Sequence, residues 1–174
     1  AGTYTVKPQV GGSDAGALAG SVTLTAGIPG AAYSTLTTDG NTITADGTDS
    51  TTLTITARDG NNNPATGIAG QLSFALQDSY GQSVLPPDVI VGTLTETVQG
   101  SGIYTTTLTG TRAGTYTVTA QYNGTAIGTG NTVTLIAGEP DYSVSTFSTP
   151  APQSITADGT TTSTLSFTAK DVNG

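Results

Sequence analysis

Apolar residues in this chain recur at every second position between turn signals. Over 51–57, Leu53, Ile55 and Ala57 fall on one face and Thr52, Thr54 and Thr56 on the other, the alternation of a half-buried strand. The same period picks out Leu72, Phe74 and Leu76, then Tyr104, Thr106 and Leu108, then Tyr116, Val118 and Ala120, and finally Val133 and Leu135. With strands predicted at 33–38, 42–45 and 89–98, seven or eight fit within about 110 residues, a density typical of two packed sheets. The pattern predicts an all-β fold, an antiparallel immunoglobulin-like β-sandwich, because no helical crossover separates the strands. Leu53, Ile55, Phe74, Leu108, Tyr116, Val118 and Leu135 are expected to share its core. Tyr116 opens its strand just after a turn, where a tyrosine corner is expected; a core aromatic with an exposed tip is the alternative.

The pattern also repeats as a whole. Ala1-Gly2-Thr3-Tyr4-Thr5-Val6 returns as Ala113-Gly114-Thr115-Tyr116-Thr117-Val118, and Ile43-Thr44-Ala45-Asp46-Gly47-Thr48 returns as Ile155-Thr156-Ala157-Asp158-Gly159-Thr160, both after 112 residues. Val22-Thr23-Leu24 returns as Val133-Thr134-Leu135 after 111, a slip of one residue that reads as a loop deletion. A domain-sized period means a tandem repeat array. The expected division is the C-terminal part of a preceding domain at 1–28, a complete domain at 29–140, and the N-terminal part of a following domain at 141–174. On that division the chain reads as an excerpt whose two ends expose strand edges and one apolar face each: Tyr4, Val6, Val22 and Leu24 at one end, Ile155, Leu165 and Phe167 at the other. Such ends are expected to be disordered or to pair between molecules.

Composition narrows the chemistry. Threonine supplies roughly a fifth of the residues and glycine 24 of 174, a mix suited to β-branched strands and tight turns. No apolar run approaches the roughly 20 residues of a membrane span. A net charge of −8, with Lys7, Arg58, Arg112 and Lys170 as the only cations, repels nucleic acid. The chain has no histidine and no cysteine, so the common bases and activated nucleophiles are missing and no enzyme is expected. No catalytic, cofactor-binding or metal residue is assigned, and no cofactor.

Two acidic groupings resemble metal sites. The stretch 59–63, Asp-Gly-Asn-Asn-Asn, begins like a calcium loop but places Pro64 and Gly70 where that loop needs Gly and Glu, so Asx turns explain it better. Sandwich topology places Glu139 and Asp141 near Asp46 and Asp49, with Asp171 and Asn173 approaching from the next unit and Arg112 as the cation able to answer them. Solvated carboxylates beside a flexible joint are expected there rather than a metal clamp.

The stretch Ile43-Thr44-Ala45-Asp46-Gly47-Thr48-Asp49-Ser50-Thr51-Thr52-Leu53-Thr54-Ile55-Thr56-Ala57-Arg58-Asp59, with Asn63-Pro64, Gly102-Ile103-Tyr104 to Thr109, and Ala113-Gly114-Thr115-Tyr116-Thr117-Val118-Thr119-Ala120, resembles the bacterial Ig-like domains of the invasin/intimin group of outer-membrane adhesins. The resemblance implies a stalk module of an inverse autotransporter, displayed on the bacterial surface and holding a distal adhesive domain away from the cell. Its partners would be neighbouring Ig-like domains of the same chain, and its outer-membrane anchor would lie outside these residues. The 77–88 loop is longer than the usual connection in that group. A tolerated insertion is one explanation; the alternative is a module that itself binds a host cell-surface protein or glycan through this loop. A third reading is an accessory Ig domain of a phage or secreted enzyme.

Overall fold

The computed structural model describes residues 1–16 and 19–174, and the fold is all-β. Its strands are β1 (Gly2–Val6), β2 (Gln9–Val10), β3 (Ser13–Asp14), β4 (Gly20–Leu24), β5 (Thr35–Thr38), β6 (Thr42–Thr44), β7 (Thr51–Thr56), β8 (Leu72–Gln77), β9 (Val89–Val91), β10 (Thr95–Glu96), β11 (Ile103–Gly110), β12 (Gly114–Tyr122), β13 (Thr125–Ala126), β14 (Asn131–Ile136), β15 (Thr146–Phe147) and β16 (Phe167–Thr168). A single 3₁₀ turn, Ala69–Gln71, is the helical element among the described residues. Among the described residues, no helix is long and apolar enough to cross a membrane.

Two five-stranded sheets face each other. One runs β5–β7–β11, with β9 and β10 both on the outer side of β11; the other runs β6–β14–β12, with β8 on the far side of β12 and β13 beside its end. Among the described residues the pairings are antiparallel with one exception. β6 lies parallel to β14, Ile43 opposite Leu135, a pairing that the expected antiparallel sandwich did not include. The first strand of the sandwich therefore begins in one sheet as β5 and crosses to the other as β6. Asn41 and Ile136 carbonyls accept the Thr134 and Ala45 amides, each at 2.8 Å.

The core runs from Leu36 to Leu135. Leu53, Ile55, Leu108, Tyr116, Val118 and Leu135 are buried as the alternation predicts, but Phe74 is only half-buried, packed against the core from the edge strand β8. The largest fully enclosed side chain is instead Tyr104. Its hydroxyl donates to the Ala65 carbonyl at 2.9 Å and accepts the Ile68 amide at 3.2 Å, so a polar tip is satisfied inside the sandwich. Burial pushes its pKa up. Gly110, between β11 and the next turn, has no room for a side chain: a Cβ there would collide with Leu135 Cδ2 and the Asp88 carbonyl.

The predicted strand at 89–98 is two strands. Val89 and Val91 face inward, yet the next inward-facing side chain is Leu94 rather than residue 93, a one-residue shift that interrupts the ladder at Gly92-Thr93.

Outside the sandwich, β1 pairs with β4, and β15 with β16. Their registers copy the sandwich. Tyr4 lies opposite Val22 as Tyr116 lies opposite Val133, and Phe147 opposite Phe167 as Leu36 lies opposite Ile55.

Candidate functional site

Four places stand out: the turn around Tyr116, the 77–88 loop, the linkers at either end of the sandwich, and the 59–63 loop. The tyrosine corner is present. Tyr116 donates its hydroxyl to the Arg112 carbonyl at 2.8 Å. Arg112 does not answer the junction carboxylates as expected; its guanidinium pairs with Asp88 at 3.0 Å, and the Asp88 carbonyl accepts the Thr111 amide at 3.0 Å. The corner is thus tied to the end of the 77–88 loop.

That loop prolongs β8 as a small hairpin. Asp78 Oδ1 accepts the amides of Tyr80 and Gln82 at 2.9 and 2.8 Å, Gln77 bridges to Ser83, and the Val84 amide returns to the Leu76 carbonyl. Val84 packs on the core, whereas Tyr80 is 87% exposed and Leu85 73%. Leu85 borders a groove of about 510 Å³ between β8 and β9–β10, whose apolar walls include Leu72, Phe74, Leu76, Val91 and Leu94.

At the linkers the carboxylates are engaged one by one. Asp46 Oδ1 accepts the Thr48 and Asp49 amides, and Asp49 Oδ2 accepts the Thr44 amide at 2.7 Å. Asp141 Oδ1 accepts the Ser143 hydroxyl and amide, which lower its pKa. Asp171 Oδ2 accepts the Gly138 amide at 3.0 Å, and Asn173 Nδ2 donates to the Ala45 carbonyl at 2.8 Å. Asp46 and Asp49 remain exposed while accepting these bonds, and Asp141 and Asp171, half-buried, each accept a backbone amide as well. Among the described residues, no three metal-ligating side chains converge.

The 59–63 loop is the most densely bonded of these places. Asp59 is nearly buried; its Oδ1 accepts the Asn61 and Asn63 amides, each at 2.9 Å, and its Oδ2 accepts the Gly27 amide at 2.8 Å. The Gly27 bond, followed by the Asn63 bond, holds the Asp59 carboxyl far below the usual carboxylate range. The loop is an Asx turn with both oxygens used. Gly27 and Gly138 carry no side chain to mark them in the sequence; the recurrence of Ala-Gly-x-Pro at 26–29 and 137–140 is the signal that points to them.

A family model for Invasin, domain 3, matches residues 30–138. Among solved structures, the Escherichia coli adhesin FdeC is 32% identical with a TM-score of 0.69, over 99% of this chain and 51% of that one. Invasin, described as a bacterial integrin-binding protein, is 30% identical with a TM-score of 0.70, over 99% of this chain and 32% of that one. InvD of Yersinia pseudotuberculosis is 26% identical with a TM-score of 0.67, over 99% of this chain and 51% of that one. The chain thus spans about half or less of the length of these relatives. A comparison with curated proteins brings up no match.

Proposed function

We propose, from the premise that this chain belongs to the family of invasin domain 3, that it is a spacer of a bacterial surface adhesin. In this reading 29–140 form one complete Ig-like module, while 1–28 and 141–174 are the closing and opening parts of its neighbours. The array is displayed outside the cell, anchored in the outer membrane through other parts of the polypeptide, and carries a distal binding domain away from the surface. Its role is mechanical rather than enzymatic. The observation that carries this reading is the recurrence of the same strand registers before and after the sandwich, one domain length apart. With nine residues in β12 at ~3.4 Å each, a module adds roughly 30 Å of reach.

Removing one 112-residue period from the displayed adhesin should leave the affinity of its tip unchanged and shorten its reach. Adhesion through polymer brushes of graded thickness measures this, and a drop in affinity at zero brush thickness would defeat the spacer reading.

A second reading is favoured by one observation. Tyr80 and Leu85 stand exposed on the 77–88 loop beside an apolar groove, as a contact surface for a host cell-surface protein or glycan would. The test is binding of this chain to host cells, compared with Tyr80→Ala and Leu85→Ser variants. The spacer reading expects no binding by any of them.

A further inference from the structure

We propose that the 59–63 loop is a docking surface for the preceding copy of the repeat unit, holding successive units at one fixed angle through a hydrogen-bonded latch on the linker. The inference rests on the tandem-spacer reading for its partner.

The latch is seen twice. Asp59 and Asp171 are equivalent across the 112-residue period, and each divides its carboxylate in the same way. Oδ1 closes an Asx turn onto the amide two residues on, at 2.9 Å in Asn61 and 3.0 Å in Asn173. Oδ2 turns outward to the linker, onto Gly27 at 2.8 Å and Gly138 at 3.0 Å. Beside it a second grip recurs. Ser34 exchanges two hydrogen bonds with the Arg58 backbone, and Ser145 does the same with Lys170. The Gly30 amide bonds to the Arg58 carbonyl as the Asp141 amide bonds to that of Lys170. The linker is therefore fastened at both of its ends to the unit that follows it.

At the second junction the loop also reaches across to the unit that precedes it, where Asn173 donates to the Ala45 carbonyl. Its equivalent in the complete unit, Asn61, is exposed, and the matching carbonyl would belong to a copy preceding residue 1. Asn61 is thus assigned the same grip on that copy. One carboxylate holding the linker and one amide holding the neighbour constrain both bend and twist, which a proline alone does not.

The latch needs the linker N–H, not the absence of a side chain. A Cβ on Gly27 would sit 3.6 Å from Asp59, and one on Gly138 3.7 Å from Asp171, both ordinary contacts.

Spin labels at Thr117→Cys and Thr162→Cys in the 174-residue chain report the angle across the second junction as a distance distribution, and amide exchange at Gly138 reports the latch itself. The unsubstituted linker should give one narrow distribution. Asp171→Ala with Asn173→Ala should at least double its width and speed Gly138 exchange by about tenfold or more, with core amides unchanged. Gly138→Ala, which keeps the N–H, should leave the distribution narrow. A broad distribution before substitution, or no change on losing Asp171 and Asn173, overturns the proposal. Either result leaves the spacer reading standing as a flexible tether, whereas host-cell binding by the chain would remove the spacer reading without altering these distances.

Discussion

Leu53 and Leu165 occupy the same place in the repeat, yet one is fully buried and the other 58% exposed. Tyr116 and Tyr4 differ likewise, 3% against 54%, although each faces the same kind of partner across its strand pair in the same register. The contrast separates two things that are easily run together. Strand register is a local property, set by turn and ladder, and the end segments keep it. Burial requires an opposing sheet, and among the described residues the two facing five-stranded sheets lie between Thr35 and Ile136. An alternating sequence therefore specifies a pair of strands long before it specifies a core.

The contrast can be broken by paired truncations. Leu53→Ala should cost about 2–5 kcal/mol, whereas Leu165→Ala should change the unfolding free energy of the sandwich by no more than about 0.5 kcal/mol. Denaturant midpoints for the two variants measure this; equal losses would mean that the end segment and the sandwich unfold as one unit. Phe74→Ala sharpens it from within the sandwich. A phenylalanine half-buried on an edge strand should cost about 1–2 kcal/mol, less than the ~3–5 of an enclosed one. Tyr116→Phe deletes the corner bond to Arg112 and should cost about 1 kcal/mol, while Tyr4→Phe should leave the same midpoint unmoved.

The smallest effects per residue are those of acid. Hydrogen bonds from Thr51, then from the Thr52 amide, hold Asp39 at about 2, and amide donors lower Asp46 and Asp59 as well. These folded-state values lie below the unfolded value near 4, so their stabilisation is present above about pH 4 and is lost as pH falls towards the folded values. Thermal midpoints should decline below pH 4, and less steeply for Asp59→Asn. A midpoint flat to pH 2 would show that these bonds do not survive in solution.

Much of this was legible in the sequence, for reasons visible in particular residues. Leu53, Ile55 and Val118 announce their inward face because a period of two has only two phases, and the repeat checks the choice by offering Leu165 and Phe167 at the same positions. Periodicity says nothing about which sheet a strand joins, so the crossing of the first strand and the parallel pairing of β6 were missed. It also assumes an unbroken ladder, which hid the shift at Gly92-Thr93. Tyr104 was placed on a strand but left out of the core, since its hydroxyl needed the Ala65 carbonyl and Ile68 amide, contacts distant in sequence. The linker bonds were hidden more deeply, because their donors include the backbone amides of Gly27 and Gly138, marked in the sequence only by the recurring Ala-Gly-x-Pro.

The parallel pair β6–β14 has a consequence for load. A tether under tension is pulled at the start of its module and at its end. Because β6 and β14 run the same way, pulling backwards on the first and forwards on the second slides them along each other instead of peeling them apart. The bonds from Thr134 to Asn41 and from Ala45 to Ile136, with the ladder between them, must then yield together. Peeling breaks such bonds singly; shear shares the force among them, so in the proposed spacer the parallel β6–β14 pair would be where a stretched module resists most.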